Sequence, residues 1–132
     1  MQTEQELKKK RKKMKKPLVY RTIQLIFNCW IQKSFYADMP KMWRFTIYTS
    51  GINYILQMIS DCSDAYESVD NRVAHLDSLI SNLRKVQTIT RAFCESHVIS
   101  IKKMDYLDKQ YESINTQVQK WRNSLKLSSE KN

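Results

Sequence analysis

Glycine occurs once in this 132-residue chain and proline twice. Sheets built on tight hairpins, and loops that cradle phosphate, usually need several glycines at positive backbone angles. Their scarcity favours a helical protein. No stretch approaches the roughly 20 consecutive apolar residues that span a bilayer, and the charged N-terminus lacks the apolar segment of a secretory signal. Cysteine is present only as Cys29, Cys62 and Cys94, an odd number, widely separated and each among apolar neighbours. That pattern argues against a disulfide framework and fits a reducing, cytoplasmic compartment. Acidic residues are also short, 13 against 23 Lys and Arg, for a formal charge of +10.

The excess is concentrated at the start. Residues 1–16 hold eight basic and two acidic residues, +6, and the remaining fifteen basic and eleven acidic residues give +4. Lys8, Lys9, Lys10, Arg11, Lys12, Lys13, Lys15 and Lys16 form one run. A balance of this kind points to a polyanionic partner, with RNA, DNA and an anionic membrane surface as the candidates.

The chain is long enough for one domain with a hydrophobic core. Pro17 suits a first helical turn, where its missing N–H costs nothing. A first helix is therefore expected over 17–36, with apolar residues at Tyr20, Ile23, Phe27 and Trp30 but also at Leu18, Val19, Leu25, Ile26 and Cys29. A helix apolar around so much of its circumference needs cover on more than one side, and oligomerisation is the economical source. Pro40 disfavours helical backbone at Met39 and ends this element. The second helix is expected over 44–67, through Phe45, Tyr48, Ile52, Ile55, Leu56, Ile59, Cys62 and Tyr66. Gly51 inside it implies close approach of a neighbouring helix, since a lone helical glycine costs about 1 kcal/mol against alanine.

The third helix, over 69–96, reads through Val69, Val73, Leu76, Leu79, Ile80, Leu83, Val86, Thr90 and Phe93. The fourth, over 100–125, is capped by Ser100 and repeats three and four apart at Met104, Leu107, Tyr111, Ile114, Val118, Trp121 and Leu125. Short connections between four such helices predict an all-α protein, an up-down-up-down four-helix bundle over 17–126. Residues 1–16 are expected as a basic tail and 127–132 as a polar one.

The sequence offers no convincing chemistry of bond making. Cys94 and His97 have C-x-x-H spacing, but no second pair completes a tetrahedral zinc site. They read as a core cysteine beside a loop histidine. Asp61 and Asp64, one turn apart, read as a solvated helix face, with no glycine loop nearby to bring phosphate. No catalytic residue, cofactor or metal is expected. A basic stripe is more telling: RKVQTITR places Arg84, Lys85 and Arg91 together with no acid, and such a stripe can track a phosphate backbone. Trp43, expected in a loop, can stack on a base or anchor a partner.

The segment MPKMWRFTIYTSGINYILQMISDCSDAY resembles the stretch of small bacterial four-helix-bundle proteins in which a Pro-Lys-x-x-Arg-Phe-Thr loop leads into the second helix, here Pro40, Lys41, Arg44, Phe45 and Thr46. LRKVQTITRAFCESHVISIKKMDYLDKQYESINTQVQKW is similar to their third-to-fourth helix junction with its closing tryptophan, here Trp121. One branch of this superfamily, encoded in intervening sequences of 23S ribosomal RNA genes, has Asn-Ile-Ala-Glu-Gly where this chain has Asp61-Cys62-Ser63-Asp64-Ala65. The chain departs from that branch and resembles the other, the accessory variability determinant of diversity-generating retroelements. The resemblance implies a homopentameric barrel of four-helix bundles in the bacterial cytoplasm. It implies binding to the element's reverse transcriptase and template RNA in support of mutagenic copying, without polymerase activity of its own; whether RNA or an RNA–DNA hybrid is the natural ligand stays open at this level. Lys41, Trp43 and Arg44 are then candidate partner contacts. The density of the basic run departs from the family's usual form. Two other readings stay open at this level: a ribosome-associated or purely structural oligomer, and a membrane-surface protein with a polybasic anchor, although the chain lacks the insertion residues stable anchoring needs.

Overall fold

Thr3 and Glu6 satisfy each other's backbone at the start of the first helix: the Glu6 N–H donates to Thr3 Oγ1 at 3.2 Å and the Thr3 N–H donates to Glu6 Oε2 at 3.3 Å. This reciprocal cap opens α1 (Glu4–Lys13) in a computed structural model that describes residues 3–13 and 17–130, with side chains at 3–9 and 17–126. Acids in its first turn and the basic stretch in its last turns both complement the helix dipole. The described part of the expected tail is thus helical.

The chain continues through α2 (Leu18–Trp30), α3 (Lys33–Tyr36), α4 (Lys41–Phe45), α5 (Ile47–Glu67), α6 (Arg72–Glu95) and α7 (Ile101–Glu130). There is no strand among the described residues, and no described helix is long and apolar enough to cross a membrane. Helix α2 packs against α5 and α7, and α6 packs against the same two. The shared interior holds Ile23, Ile26, Ile55, Met58, Leu76, Leu79, Leu83, Val86, Leu107, Ile114 and Val118, among others.

Trp30, fully buried, is the centre of one end of this interior. Its ring stacks on Phe35 at 4.8 Å and on Tyr48 at 5.9 Å, and lies 5.8 Å from Phe93. Its indole N–H donates to Tyr111 Oη at 3.1 Å, and Tyr111 Oη lies 2.7 Å from Thr90 Oγ1. Thr90 itself donates to the Val86 carbonyl at 2.7 Å, so the proton between Tyr111 and Thr90 belongs to the tyrosine. The result is one directed chain of hydrogen bonds across α2, α7 and α6, in which every buried polar atom has a partner. Burial holds the Tyr111 phenol well above its ordinary pKa, only partly offset by its hydrogen bonds with Thr90 and Trp30.

Gly51 is the contact point of α5 with that ring. A Cβ there would come within 2.6 Å of Trp30 Cη2 and nearer still to Cζ3, the close approach expected from the sequence.

Two of the expected helices are broken where no glycine or proline marks the break. The first stops at Trp30, and Gln32 turns to extended backbone (φ −73, ψ 140) before α3. This turn swings Phe35 back onto Trp30. The second begins at Lys41 and is interrupted at Thr46 (φ −117, ψ −85). The hydroxyls of Thr46 and Thr49 accept the consequences by donating to the Met42 and Arg44 carbonyls, each at 2.7 Å. At the other two starts the expectation is close: Ser100 Oγ accepts from the Lys103 N–H at 3.1 Å, and α6 opens at Arg72 after a turn at 68–71.

Candidate nucleic-acid interface

The basic residues singled out from the sequence divide among three surfaces. Lys8 and Lys9 are exposed on α1, and Lys10, Arg11, Lys12 and Lys13 continue the same helix. Lys15 and Lys16 lie outside the described residues. Repulsion among these cations at three- and four-residue spacing costs a few tenths of a kcal/mol per pair, so the helix gains from any surrounding anion.

On α6, Arg84, Lys85 and Arg91 are all exposed, and the helix carries no acid from Ser78 to Cys94. They do not form a single line. Consecutive helical residues point about 100° apart, and Lys85 turns toward α5, its Nζ 5.1 Å from the centre of the Tyr54 ring. Arg84 turns the other way, into a groove of about 300 Å³ between α6 and α7 that it lines with Asp77, Ser81, Gln119 and Arg122. Arg91 sits two turns on from Arg84 on the same edge, about 10 Å along the axis. Arg122 Nε donates to Asp77 Oδ1 at 2.7 Å. That exposed pair contributes under about 1 kcal/mol, and it is the one side-chain ion pair among the described residues. Most of the positive charge therefore faces solvent without a carboxylate against it.

The third surface is the corner built by α3 and α4. Trp43 is not in a loop: it lies on α4, half-buried, with its ring 6.2 Å from Phe93 and nearly parallel to it. One face of the indole is thus used in packing. Arg44 is likewise occupied, donating from Nε to the Met39 carbonyl at 3.2 Å and from Nη2 to the Ala37 carbonyl at 2.9 Å, over the Tyr36 ring. It closes the end of α3. Lys41 is exposed, and the large apolar groups that this corner presents are Met42 and Phe45, 75% and 71% exposed.

Asp61 corrects the expectation of a solvated face. It is buried, and its carboxylate accepts from Gln57 Nε2 at 3.0 Å, Ser78 Oγ at 2.8 Å and Asn82 Nδ2 at 3.2 Å. Three neutral donors, two from α6, make it a polar clamp between α5 and α6. Asp64 is exposed. The Cys94 and His97 pair has a backbone explanation. His97 has φ 62, its N–H donates to Cys94 O, and the Val98 N–H donates to Phe93 O, both at 3.0 Å. This is the helix-ending motif in which the residue after the cap turns left-handed. Among the described residues no group of three His, Cys, Asp or Glu is placed to hold a metal ion.

Cys29 lines an open groove of about 510 Å³ between α2 and α7 with Leu25, Gln32, Lys103 and Tyr106. Burial pushes its thiol pKa up, against a smaller opposing pull from Lys103, so it is not an activated nucleophile. Lys103 itself donates to the Ser34 carbonyl at 2.9 Å. Leu18 and Leu25 on α2 are 69% and 46% exposed, the apolar excess that the first helix was expected to carry.

Comparison with family models, curated proteins and solved structures finds no match.

Proposed function

We propose that this chain is a noncatalytic, basic nucleic-acid-binding accessory subunit that associates with a retroelement reverse transcriptase and its template RNA, and supports mutagenic cDNA synthesis. In this reading it is of the accessory variability determinant type. The four long helices α2, α5, α6 and α7 form an up-down-up-down bundle, and copies assemble, as a pentamer, through the exposed apolar face of α2. The work is done in the bacterial cytoplasm.

The observation that carries the reading is charge without compensation. The chain has ten more basic than acidic residues, and only Arg122 and Asp77 pair among the described residues. Arg84 and Arg91 stand on a rigid helix at a spacing of about 10 Å, which covers roughly three phosphates at 3.4 Å of axis each. The resemblance at Pro40 to Thr46 and at Trp121 adds the polymerase partner. Mechanistically, the helices are a platform on which basic side chains neutralise phosphates while an apolar surface docks the enzyme. Contacts of this kind are largely insensitive to base sequence and weaken steeply with salt.

Filter binding to a structured RNA across a salt series tests this. The double variant Arg84→Gln, Arg91→Gln should flatten the plot of log K against log salt by about 1.4 to 1.8, two contacts at roughly 0.7 to 0.9 each. Failure of the unaltered protein to bind RNA at about 0.15 M salt would refute the proposal.

A further inference from the structure

The basic run is a capped helix, and this decides what kind of nucleic acid it suits. We infer that α1 is a duplex-binding helix, which sets positions Lys8 to Lys13 against the phosphates of paired RNA or RNA–DNA hybrid and discriminates against single strands. The inference rests on the reading of the chain as a nucleic-acid-binding protein.

Three observations support it. First, the helix is specified locally. The Thr3–Glu6 cap, Glu4 and Glu6 in the first turn and the basic stretch at the other end all favour helix in this segment, although ten residues are too few for stability alone. Second, every position from Lys8 to Lys13 is basic. At about 100° per residue six successive positions pass right around the helix, so basic positions fall on every face. A flat or one-sided polyanion neutralises only part of such a cylinder. A duplex groove has phosphates on both walls, and paired RNA is recognised chiefly through backbone and shape.

Third, residues 1–16 contain no aromatic residue. Sequence-tolerant single-strand binding depends on bases stacking on aromatic rings as well as on charge. An anionic membrane is also a poor match, because an interfacial helix needs an apolar face, and α1 offers Leu7 alone. Lys and Arg without Asn or Gln inside the basic stretch also leave little means of reading base edges.

The test uses the full chain, a 16-bp RNA duplex, a single-stranded oligouridine of equal length, and vesicles containing phosphatidylserine. Fluorescence anisotropy at about 0.1 M salt should give about tenfold tighter binding to the duplex, the size of effect that one or two added phosphate contacts produce. Lys10→Gln and Lys10→Pro remove the same charge, but only the proline breaks the helix. Lys10→Gln should keep the duplex preference, Lys10→Pro should bring the ratio near one, and helical circular dichroism should rise with duplex and not with oligouridine. Equal binding of both probes by the unaltered protein, or identical behaviour of the two variants, would overturn this inference while leaving the proposed function standing. Flotation with the vesicles without duplex preference would assign α1 to a membrane surface instead. Binding to neither nucleic acid would remove the proposed function itself.

Discussion

Replacing Gly51 by alanine sets two effects of opposite sign against each other. In an exposed helix the substitution stabilises by about 1 kcal/mol. Here the new Cβ would lie within 2.6 Å of Trp30 Cη2, closer than side chains pack. The ring has nowhere to retreat, because Phe35 lies 4.8 Å from it, Phe93 5.8 Å and Tyr48 5.9 Å. Tyr48 also donates to the Trp30 carbonyl at 2.6 Å. Overpacking costs about 1 to 3 kcal/mol, and displacing the indole from Tyr111 leaves a buried donor unpaired for about 1 to 3 more. The net expectation for Gly51→Ala is a loss of about 1 to 5 kcal/mol, centred on about 3 and a large share of a typical stability. Urea unfolding followed at 222 nm should show the midpoint lower by about 2 M, taking a slope near 1.5 kcal/mol per molar. Trp30→Phe removes the obstructing atoms, so the double variant should be less damaged than the two single losses combined, by about 1 kcal/mol or more. An alanine variant as stable as the parent, or an additive cycle, would refute the packing argument.

Other perturbations test separate parts of the account. Asp61→Ala strips the acceptor from Gln57, Ser78 and Asn82 and should destabilise by about 2 to 3 kcal/mol in the same assay, whereas Asp64→Ala should change stability by under about 0.5 kcal/mol. His97→Gly should stabilise by about 1 kcal/mol, because the left-handed backbone at φ 62 burdens any residue with a Cβ. Stability should also fall in alkali. Cys29, Tyr48 and Tyr111 all have raised pKa values in the folded chain, so above their ordinary values of 9.0 and 10.0 the unfolded chain releases protons that the fold retains. The stabilising difference is fully present below pH 9 and is lost upward from there, with a limiting slope for the buried Tyr111 of about 1.4 kcal/mol per pH unit. A Tyr111→Phe variant should show a shallower decline in a melt series.

The all-helical class and most of the interior were legible in spacing alone. On α6 and α7, where large apolar residues recur three and four apart, the residues from Leu76 to Phe93 and from Leu107 to Val118 are the ones buried. On α5 the same rule misplaces the stripe. It selects Leu56 and Tyr66, which are 45% and 42% exposed, and passes over Met58, Asp61 and Ala65 on the buried face. Small and polar residues carry little weight in a periodicity of bulk: Gly51, which admits Trp30, is legible only as a lone helical glycine, and Asp61 receives donors from a helix seventeen to twenty-one residues away. The breaks at Gln32 and Thr46 were hidden for a related reason. Around the first break the Trp30 and Ser34 carbonyls accept from Tyr48 Oη and Lys103 Nζ, groups distant in sequence, and at the second the Thr46 and Thr49 hydroxyls cover the Met42 and Arg44 carbonyls, with no Gly or Pro signal at either. The cap of α1 is present in the sequence as Thr-x-x-Glu, a signal much weaker than the run of charge that follows it. Of the candidate interface, the exposure of Arg84, Lys85 and Arg91 followed from the pattern. Their division between two sides of α6 follows from the step of about 100° between neighbours, but the groups each side meets, Tyr54 and Arg122, are ones that sequence spacing does not bring together.

If, as proposed, this basic helical protein acts on nucleic acid beside a reverse transcriptase, the two should be recovered together. Affinity isolation of the tagged chain from the cells that encode it, at moderate salt, with the bound protein and RNA identified, puts the proposal to the test. The proposed function leads to recovery of a reverse transcriptase together with the RNA it copies, with the RNA released as salt is raised. Recovery of the chain with neither would contradict it.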